Sequence, residues 1–223
     1  MCGRYGLVKR SVEIGGAFDV GLDPSWIFPR YNIAPNQDVL AIIDDGERRA
    51  AMLRWGLIPS GSKEPRGGRR PINARGESVA EKWPFRFALR ERRCLVVADS
   101  YYEWRKDGKT RTPFRIGLKS WGPFAFAGLW ETWRSPEGEA VRSCCIITTV
   151  ANGLTETIHD RMPVILPRDA ASIWIDRGTP SADLRELLVP YEAGEMEAYE
   201  VSSVVNNWRN EDPACIEPVR RLV

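Results

Sequence analysis

The run Cys94-Leu95-Val96-Val97-Ala98-Asp99 holds five apolar residues and ends at a carboxylate, with Ser100-Tyr101-Tyr102-Glu103-Trp104 directly after it. An apolar run of this length is too short for most helices and predicts a buried strand. Further runs of the same kind predict strands on either side of it, at residues 39–43, 50–54, 114–118, 124–129, 144–150, 164–166 and 198–201.

Helical patterns are fewer than strand patterns. Residues 11–18, 168–176 and 181–188 are the candidates, with Ser181 as the expected N-cap of the third. The residues after Asn73 predict a helix that Pro84 interrupts. Many strands and a few short peripheral helices predict an α+β fold with a mostly antiparallel, barrel-like sheet. No linker is evident, so we expect one domain over residues 1–223.

Composition indicates an ordinary globular protein. Hydrophobic residues make up 43% and charged residues 28% of the 223 residues. No apolar run approaches the roughly 18 residues of a membrane helix, so no membrane partner is expected. The start, MCGRYGLVKR, lacks the apolar core of a secretory signal, which predicts a cytoplasmic protein.

Charge is unevenly distributed along the chain. Residues 63–75 and 82–93 each hold five basic residues and one acidic residue, whereas residues 181–200 hold six acidic residues and one basic residue. A polyanion is expected to favour the basic middle, although ordinary solvated surfaces explain the same pattern. The Gly- and Pro-rich stretch 59–71 predicts a mobile loop that is long enough to suggest a functional role.

The five cysteines do not form a recognisable ligand or disulfide pattern. Their number is odd, none stands in a CxxC motif, and His159 is the single histidine. We therefore expect neither a disulfide framework nor a metal site, and no cofactor. Cys94, Cys144 and Cys145 lie in apolar runs and are expected to be buried. Cys2 does not lie in an apolar run.

Cys2 carries reactive chemistry if Met1 is removed. It then presents an α-amine, with a reference pKa of about 7.7–8.0, beside a thiol with a reference pKa of about 8.5. An amine attacks an aldehyde to give a Schiff base, and the adjacent thiol can close a thiazolidine ring on it. The alternative is that a cysteine at this position is incidental.

Three other clusters hold polar groups suited to catalysis or binding. In Asn73-Ala74-Arg75-Gly76-Glu77, the amide of Asn73 can orient an amine and Arg75 can grip a phosphate. Glu103 follows a buried strand and stands between aromatic residues, so a raised pKa suited to proton transfer is expected, and Trp104 can stack on a base. Surface and core roles explain these residues equally well.

The third cluster is Ile158-His159-Asp160-Arg161-Met162-Pro163. The histidine can move protons near neutral pH, with a neighbouring carboxylate fixing its tautomer, and Arg161 can bind a phosphate. A lone histidine is, however, more often structural than catalytic.

The order of these motifs resembles that of the SOS-response-associated peptidase (SRAP) family. The motifs are MCGR at 1–4, RYNIAPNQ at 30–37, RWGLIP at 54–59, NARGE at 73–77, YYEW at 101–104 and IHDRMP at 158–163, followed more loosely by VSSVVNNWRN at 201–210. The resemblance implies that Met1 is removed, by an autopeptidase activity, and that Cys2 then links covalently to abasic sites in single-stranded DNA. It also implies a possible lyase activity and a role in DNA repair.

The same resemblance implies roles for individual residues. Cys2, Asn73, Glu103 and His159 correspond to the catalytic set of the family. The implied DNA contacts are Arg4, Pro35, Arg75, Trp104 and Arg161. The expected partner is single-stranded DNA that contains abasic sites, bound by a monomer.

One departure from the family and two rival functions remain open. Family members often carry a bulky aromatic residue after the RWGLIP-like stretch, where this chain has Ser60-Gly61. The first rival is a thiol peptidase that cleaves other proteins with Cys2 and His159. The second is a non-enzymatic nucleic-acid-binding barrel in which Cys2 is incidental.

Overall fold

The computed structural model describes residues 2–62 and 70–219. Most of the predicted loop at 59–71, and much of the first basic segment, therefore lie outside the described residues. None of the helices in the described part of the chain has the length and apolar character that crossing a membrane requires.

Strands dominate the described residues, and four short helices accompany them. The strands are β1 Tyr5–Leu7, β2 Arg30–Ile33, β3 Asp38–Asp44, β4 Arg48–Trp55, β5 Asn73–Arg75, β6 Arg93–Ala98, β7 Ser100–Asp107, β8 Thr110–Leu118, β9 Phe124–Arg134, β10 Ala140–Val150, β11 Arg161–Pro163, β12 Ile165–Leu166 and β13 Met196–Glu200. The helices are α1 Ser11–Phe18, α2 Phe85–Glu91, α3 Arg168–Ile175 and α4 Ser181–Glu186.

Five strands close into a ring. The pairs run β10–β4, β4–β3, β3–β6, β6–β9 and β9–β10, and only the β10–β4 pair is parallel. Closure removes the free strand edges that an open sheet would expose. All six residues of β6 are buried, because this strand is covered on both faces. The predicted α+β class with a mostly antiparallel, barrel-like sheet is confirmed.

A second sheet carries the N-terminus against this ring. Its strand order is β13-β8-β7-β1-β2. Tyr5 on β1 is fully buried, and its ring packs against Trp55 and Phe126 of the strand ring, with centroids 5.3 and 5.7 Å away. Burial of this ring stabilises the position of the chain just after Cys2, although the Tyr5 hydroxyl, buried without a hydrogen-bond partner in the described residues, offsets part of that gain.

The structure corrects two local predictions. The residues after Asn73 form β5, paired in parallel with β10, and then a short 3₁₀ turn at Gly76–Ser78, so the predicted helix is wrong there. The helix begins instead after Pro84, since a proline is tolerated at a helix start, where its missing N–H has no partner to lose. Ser181 is the first residue of α4, and its N-cap is Pro180, without a side-chain cap.

Cys94, Cys144 and Cys145 are fully buried, as their apolar runs predict. Cys2 is also fully buried, which its sequence neighbours do not predict. Its burial follows from the second sheet, which draws the N-terminal strand into the core.

Candidate active site

Antiparallel pairing of β1 with β7 brings the chain around Cys2 beside Glu103. Tyr5 pairs with Tyr101, and the Tyr102 N–H donates to the Arg4 carbonyl at 2.9 Å. Continuing this register toward the N-terminus sets Cys2 alongside the segment that holds Glu103. Two motifs about a hundred residues apart therefore meet because their strands are neighbours.

Asn73 reaches Cys2 from the opposite sheet. The parallel pairing of β5 with β10 fixes its backbone, with Asn73 opposite Ile146. Its Nδ2 donates to the Cys2 carbonyl oxygen at 2.7 Å. Its Oδ1 is buried and has no hydrogen-bond donor within the described residues. The amide nitrogen of Asn73 thus binds Cys2, and the amide oxygen can accept a hydrogen bond from a further donor.

Burial raises the pKa of the Glu103 carboxyl and of the Cys2 thiol. Desolvation raises the pKa of Glu103, which is 4% exposed, and the nearby His159 lowers it by a smaller amount. Desolvation also raises the pKa of the Cys2 thiol, and the negative charge of Glu103 raises it further. The raised pKa expected for Glu103 is confirmed, and the Cys2 thiol is held protonated near neutral pH.

His159 lies on the loop before β11, and backbone groups fix its ring. Its Nδ1 lies 3.0 Å from the Arg161 backbone nitrogen and 2.8 Å from the Asp160 carboxylate. An N–H only donates, so Nδ1 accepts from Arg161 and cannot also donate to Asp160. The Asp160 side chain is 85% exposed, whereas the Arg161 N–H is fixed by the backbone, so we assign the lone pair of Nδ1 to the backbone contact. The ring proton is therefore assigned to Nε2.

A C-terminal segment positions Arg4 and Trp104. Arg4 donates to Asn32 Oδ1 at 2.7 Å and to the Val205 carbonyl at 2.9 Å, and its guanidinium lies 5.9 Å from the centre of the Trp104 ring. Trp104 in turn donates its indole N–H to Asn206 Oδ1 at 2.7 Å. Both side chains are half-buried and held in place before any ligand arrives.

The predicted phosphate-binding arginines differ in their surroundings. Arg75 is exposed on β5. Arg161 is only 12% exposed and forms a two-pronged ion pair with Glu77, and it also donates to the Thr148 carbonyl at 2.7 Å. Pro35 lies half-buried in the turn after β2, and within the described residues no hydrogen bond or ring contact joins it to the others.

Sequence reasoning missed three supporting residues. Asn206 accepts a hydrogen bond from the Trp104 indole, and the Thr148 hydroxyl accepts one from Arg161. The fully buried Asn32 anchors the C-terminal segment, because its Nδ2 donates to the carbonyls of Val205, Asn207 and Asn210. The loosely matching stretch at 201–210 was the only signal for Asn206. Thr148 lies in a run that predicts only a buried strand, and Asn32 lies in the RYNIAPNQ motif, from which no individual role was predicted for it.

The fold and the site together define a class: a closed strand ring with a second sheet that holds a cysteine at position 2 near an asparagine and a glutamate, with a histidine near that glutamate. The model of one family, SOS response associated peptidase (SRAP), matches residues 1–208. The chain belongs to the SRAP family.

Individual relatives agree with this assignment. The chain is 47% identical over 222 residues to the abasic site processing protein YoqW of Bacillus subtilis, covering 97% of this chain and 99% of the relative. It is 33% identical to the abasic site processing protein HMCES of Xenopus tropicalis, covering 86% of this chain and 66% of the relative. A crystal structure of a protein from Bacteroides thetaiotaomicron superposes with a TM-score of 0.91 at 25% identity, covering 98% of this chain and 100% of that one.

Proposed function

We propose that this protein captures abasic sites in single-stranded DNA as a covalent adduct of Cys2, after Met1 is removed. The observation that carries the proposal is the Asn73 amide, which binds the Cys2 carbonyl at 2.7 Å and keeps a buried Oδ1 without a donor in the described residues. The amine and the carbonyl of one residue lie close together, so this oxygen is within reach of a Cys2 amine. Relatives named abasic site processing proteins support the choice of substrate.

The amine is the first nucleophile in the proposed reaction. It attacks the aldehyde of the ring-opened sugar, and the carbinolamine loses water to give an imine. Glu103, whose pKa is raised by burial, supplies the proton with which the hydroxyl leaves. His159, with a proton on Nε2, can deliver a proton to the sugar oxygen during ring opening.

The thiol then closes the ring. Cys2 sulfur adds to the imine carbon, the thiol proton is transferred to the imine nitrogen, and a thiazolidine results with one water released overall. Because the thiol stays protonated near neutral pH, it does not compete with the amine in the first step. A bare imine that escapes ring closure can undergo β-elimination, which accounts for the expected lyase activity.

A raised thiol pKa argues against the rival thiol peptidase. Cysteine peptidases need a thiolate, and their cysteines have lowered pKa values. Here burial and Glu103 act in the opposite direction. We therefore propose that any peptidase activity is confined to removal of Met1, and we expect no turnover of unrelated peptides.

The decisive experiment mixes processed protein with an oligonucleotide that holds one abasic site. A product that survives denaturation and carries both components supports the proposal. Non-covalent binding without such a product would instead favour the simple nucleic-acid-binding barrel.

We expect more adduct on single-stranded than on duplex abasic DNA. The half-buried Trp104 and the exposed Arg75 suit an unpaired base and its backbone, and pairing withdraws the base from stacking on protein. The check is adduct yield over time on the same oligonucleotide with and without its complement. Equal yields on both would contradict the single-stranded preference.

We also expect Glu77→Gln to strengthen DNA binding. Arg161 is neutralised by Glu77 in the structure, so a phosphate must displace that carboxylate before it gains the guanidinium. Removing the charge should raise affinity severalfold and steepen its salt dependence by about one unit or less. Arg161→Ala should weaken DNA binding, and in that background Glu77→Gln should no longer change the affinity. An unchanged affinity in Glu77→Gln alone would show that Arg161 does not bind phosphate.

A further inference from the structure

A cleft of about 610 Å³ opens next to the candidate active site. Asn73, Arg75, Lys82 and Trp83 are among its walls. Asn73 also binds Cys2, so one residue in the wall of this cleft contacts Cys2 directly. We call it the Trp83 cleft.

The charge of the Trp83 cleft suits a polyanion. Arg70, Arg75 and Lys82 line it, and within residues 2–62 and 70–219 no carboxylate does. Two other clefts show the opposite pattern, one lined by four acidic residues and two arginines, the other by three glutamates without a basic residue. A nucleic acid strand that extends from Cys2 is therefore drawn toward the Trp83 cleft rather than the others.

Trp83 gives the Trp83 cleft a stacking surface. Its side chain is 60% exposed, although large aromatic side chains are usually well buried. A positively charged groove with an exposed aromatic ring is the usual platform for unpaired nucleotides, since every base offers a face to stack on.

We propose that the Trp83 cleft binds the nucleotides on one side of the lesion, with Trp83 stacked on a flanking base. The proposal rests on the proposed function, because it needs a DNA strand that runs through Cys2. It adds a base-binding subsite and assigns Lys82 and Arg70 to the phosphates of that flank.

The first test measures equilibrium binding to single-stranded DNA with a stable tetrahydrofuran at the lesion position, which blocks covalent chemistry. Trp83→Ala should weaken binding about tenfold, equal to about 1.4 kcal/mol and within the usual range for one stacked base. Trp83→Phe should retain most of the affinity. The matched control is Phe87→Ala, because Phe87 is 49% exposed on α2 and does not line the Trp83 cleft.

The second test removes the base instead of the ring. Each flanking nucleotide is replaced in turn by tetrahydrofuran, and wild type and Trp83→Ala are compared as a double-mutant cycle. At the stacked position, wild type should lose affinity while Trp83→Ala loses none. Additive losses at every flanking position, or wild-type affinity in Trp83→Ala, would overturn the subsite.

These outcomes separate the subsite from the proposed function. Wild type that binds DNA with the expected Trp83 dependence but forms no adduct would reject covalent capture and keep the subsite. An adduct from wild type, together with unchanged binding in Trp83→Ala, would reject only the subsite. Absence of any DNA binding would reject both.

Discussion

Replacing Cys2 with alanine is expected to abolish the denaturation-resistant adduct. Once Met1 is removed, the variant keeps a free α-amine and can still form an imine with the aldehyde. It has no thiol to close the thiazolidine, and an imine hydrolyses or proceeds to strand cleavage. The measurement is the fraction of labelled abasic DNA that stays attached to protein after denaturation, expected at background for the variant.

The serine variant divides the reaction into its two steps. Cys2→Ser should form an imine that borohydride traps, yet without reductant no durable product should remain. This pattern would assign bond formation to the amine and durability to the sulfur. A durable adduct from Cys2→Ala would overturn the mechanism.

An insertion between Met1 and Cys2 tests the free amine itself. The Cys2 nitrogen then stays in an amide, which is not nucleophilic, so both the trapped imine and the durable adduct should disappear. A peptidase that used only the thiol would tolerate the insertion if the thiol stayed in place, and a plain binding protein would be unaffected. Undiminished adduct from the inserted variant would contradict the proposed chemistry.

Much of the strand ring was predictable from sequence because strands such as β6 and the middle of β10 are buried on both faces. Runs such as residues 94–98 and 144–150 are almost continuously apolar, which marks a covered strand without reference to partners. The short strands β1, β2, β5 and β11 were missed, since three or four residues carry no periodicity and each exists through its pairing with a neighbouring strand. The eight-residue strand β7 was missed as well, because its sequence SYYEWRKD is neither an apolar run nor an alternating pattern. The helix predicted after Asn73 was wrong because pairing of β5 with β10 overrides the helical preference of the local sequence.

Part of the candidate site was predictable from the sequence, and part of it was not. Cys2, Asn73, Glu103 and His159 stand in recognisable motifs, and contacts or electrostatic effects in the structure link each of them to another member of the set. The ion pair of Arg161 with Glu77 was not predictable, because it depends on β5 and β11 flanking β10. The Asn206 contact with Trp104 likewise depends on where the C-terminal segment docks.

Glu103→Gln is expected to slow adduct formation by about 10²–10⁴-fold, the usual contribution of a general acid–base group. Glutamine is close in shape to glutamate and can still hydrogen-bond, but it cannot give or take the proton that leaves with the hydroxyl. The measurement is the rate of adduct formation under single-turnover conditions. Formation at the parental rate would remove Glu103 from the mechanism.

The same substitution is expected to stabilise the folded protein at pH 8. The pKa of Glu103 is raised in the folded state, so the folded protein favours its protonated form and the stability that this gives is lost as pH rises through the raised pKa. Glutamine carries no charge to desolvate and escapes that loss. A gain of about 1 kcal/mol corresponds to a Tm increase of roughly 2–4 °C at this chain length.

Glu131→Gln is the matched control, because Glu131 is equally buried on β9 but forms an ion pair with Arg92 at 2.9 Å. Loss of its charge leaves that arginine without its partner, so Tm should fall, and the adduct rate should not change.

The advantage of Glu103→Gln should also vanish below about pH 4, where the parental carboxyl is protonated in both the folded and the unfolded states. A Tm that falls in both variants would mean that interactions of the Glu103 charge outweigh its burial. If Tm rises in Glu103→Gln and falls in Glu131→Gln, and only Glu103→Gln loses adduct formation, then Glu103 destabilises the fold but is needed for the reaction.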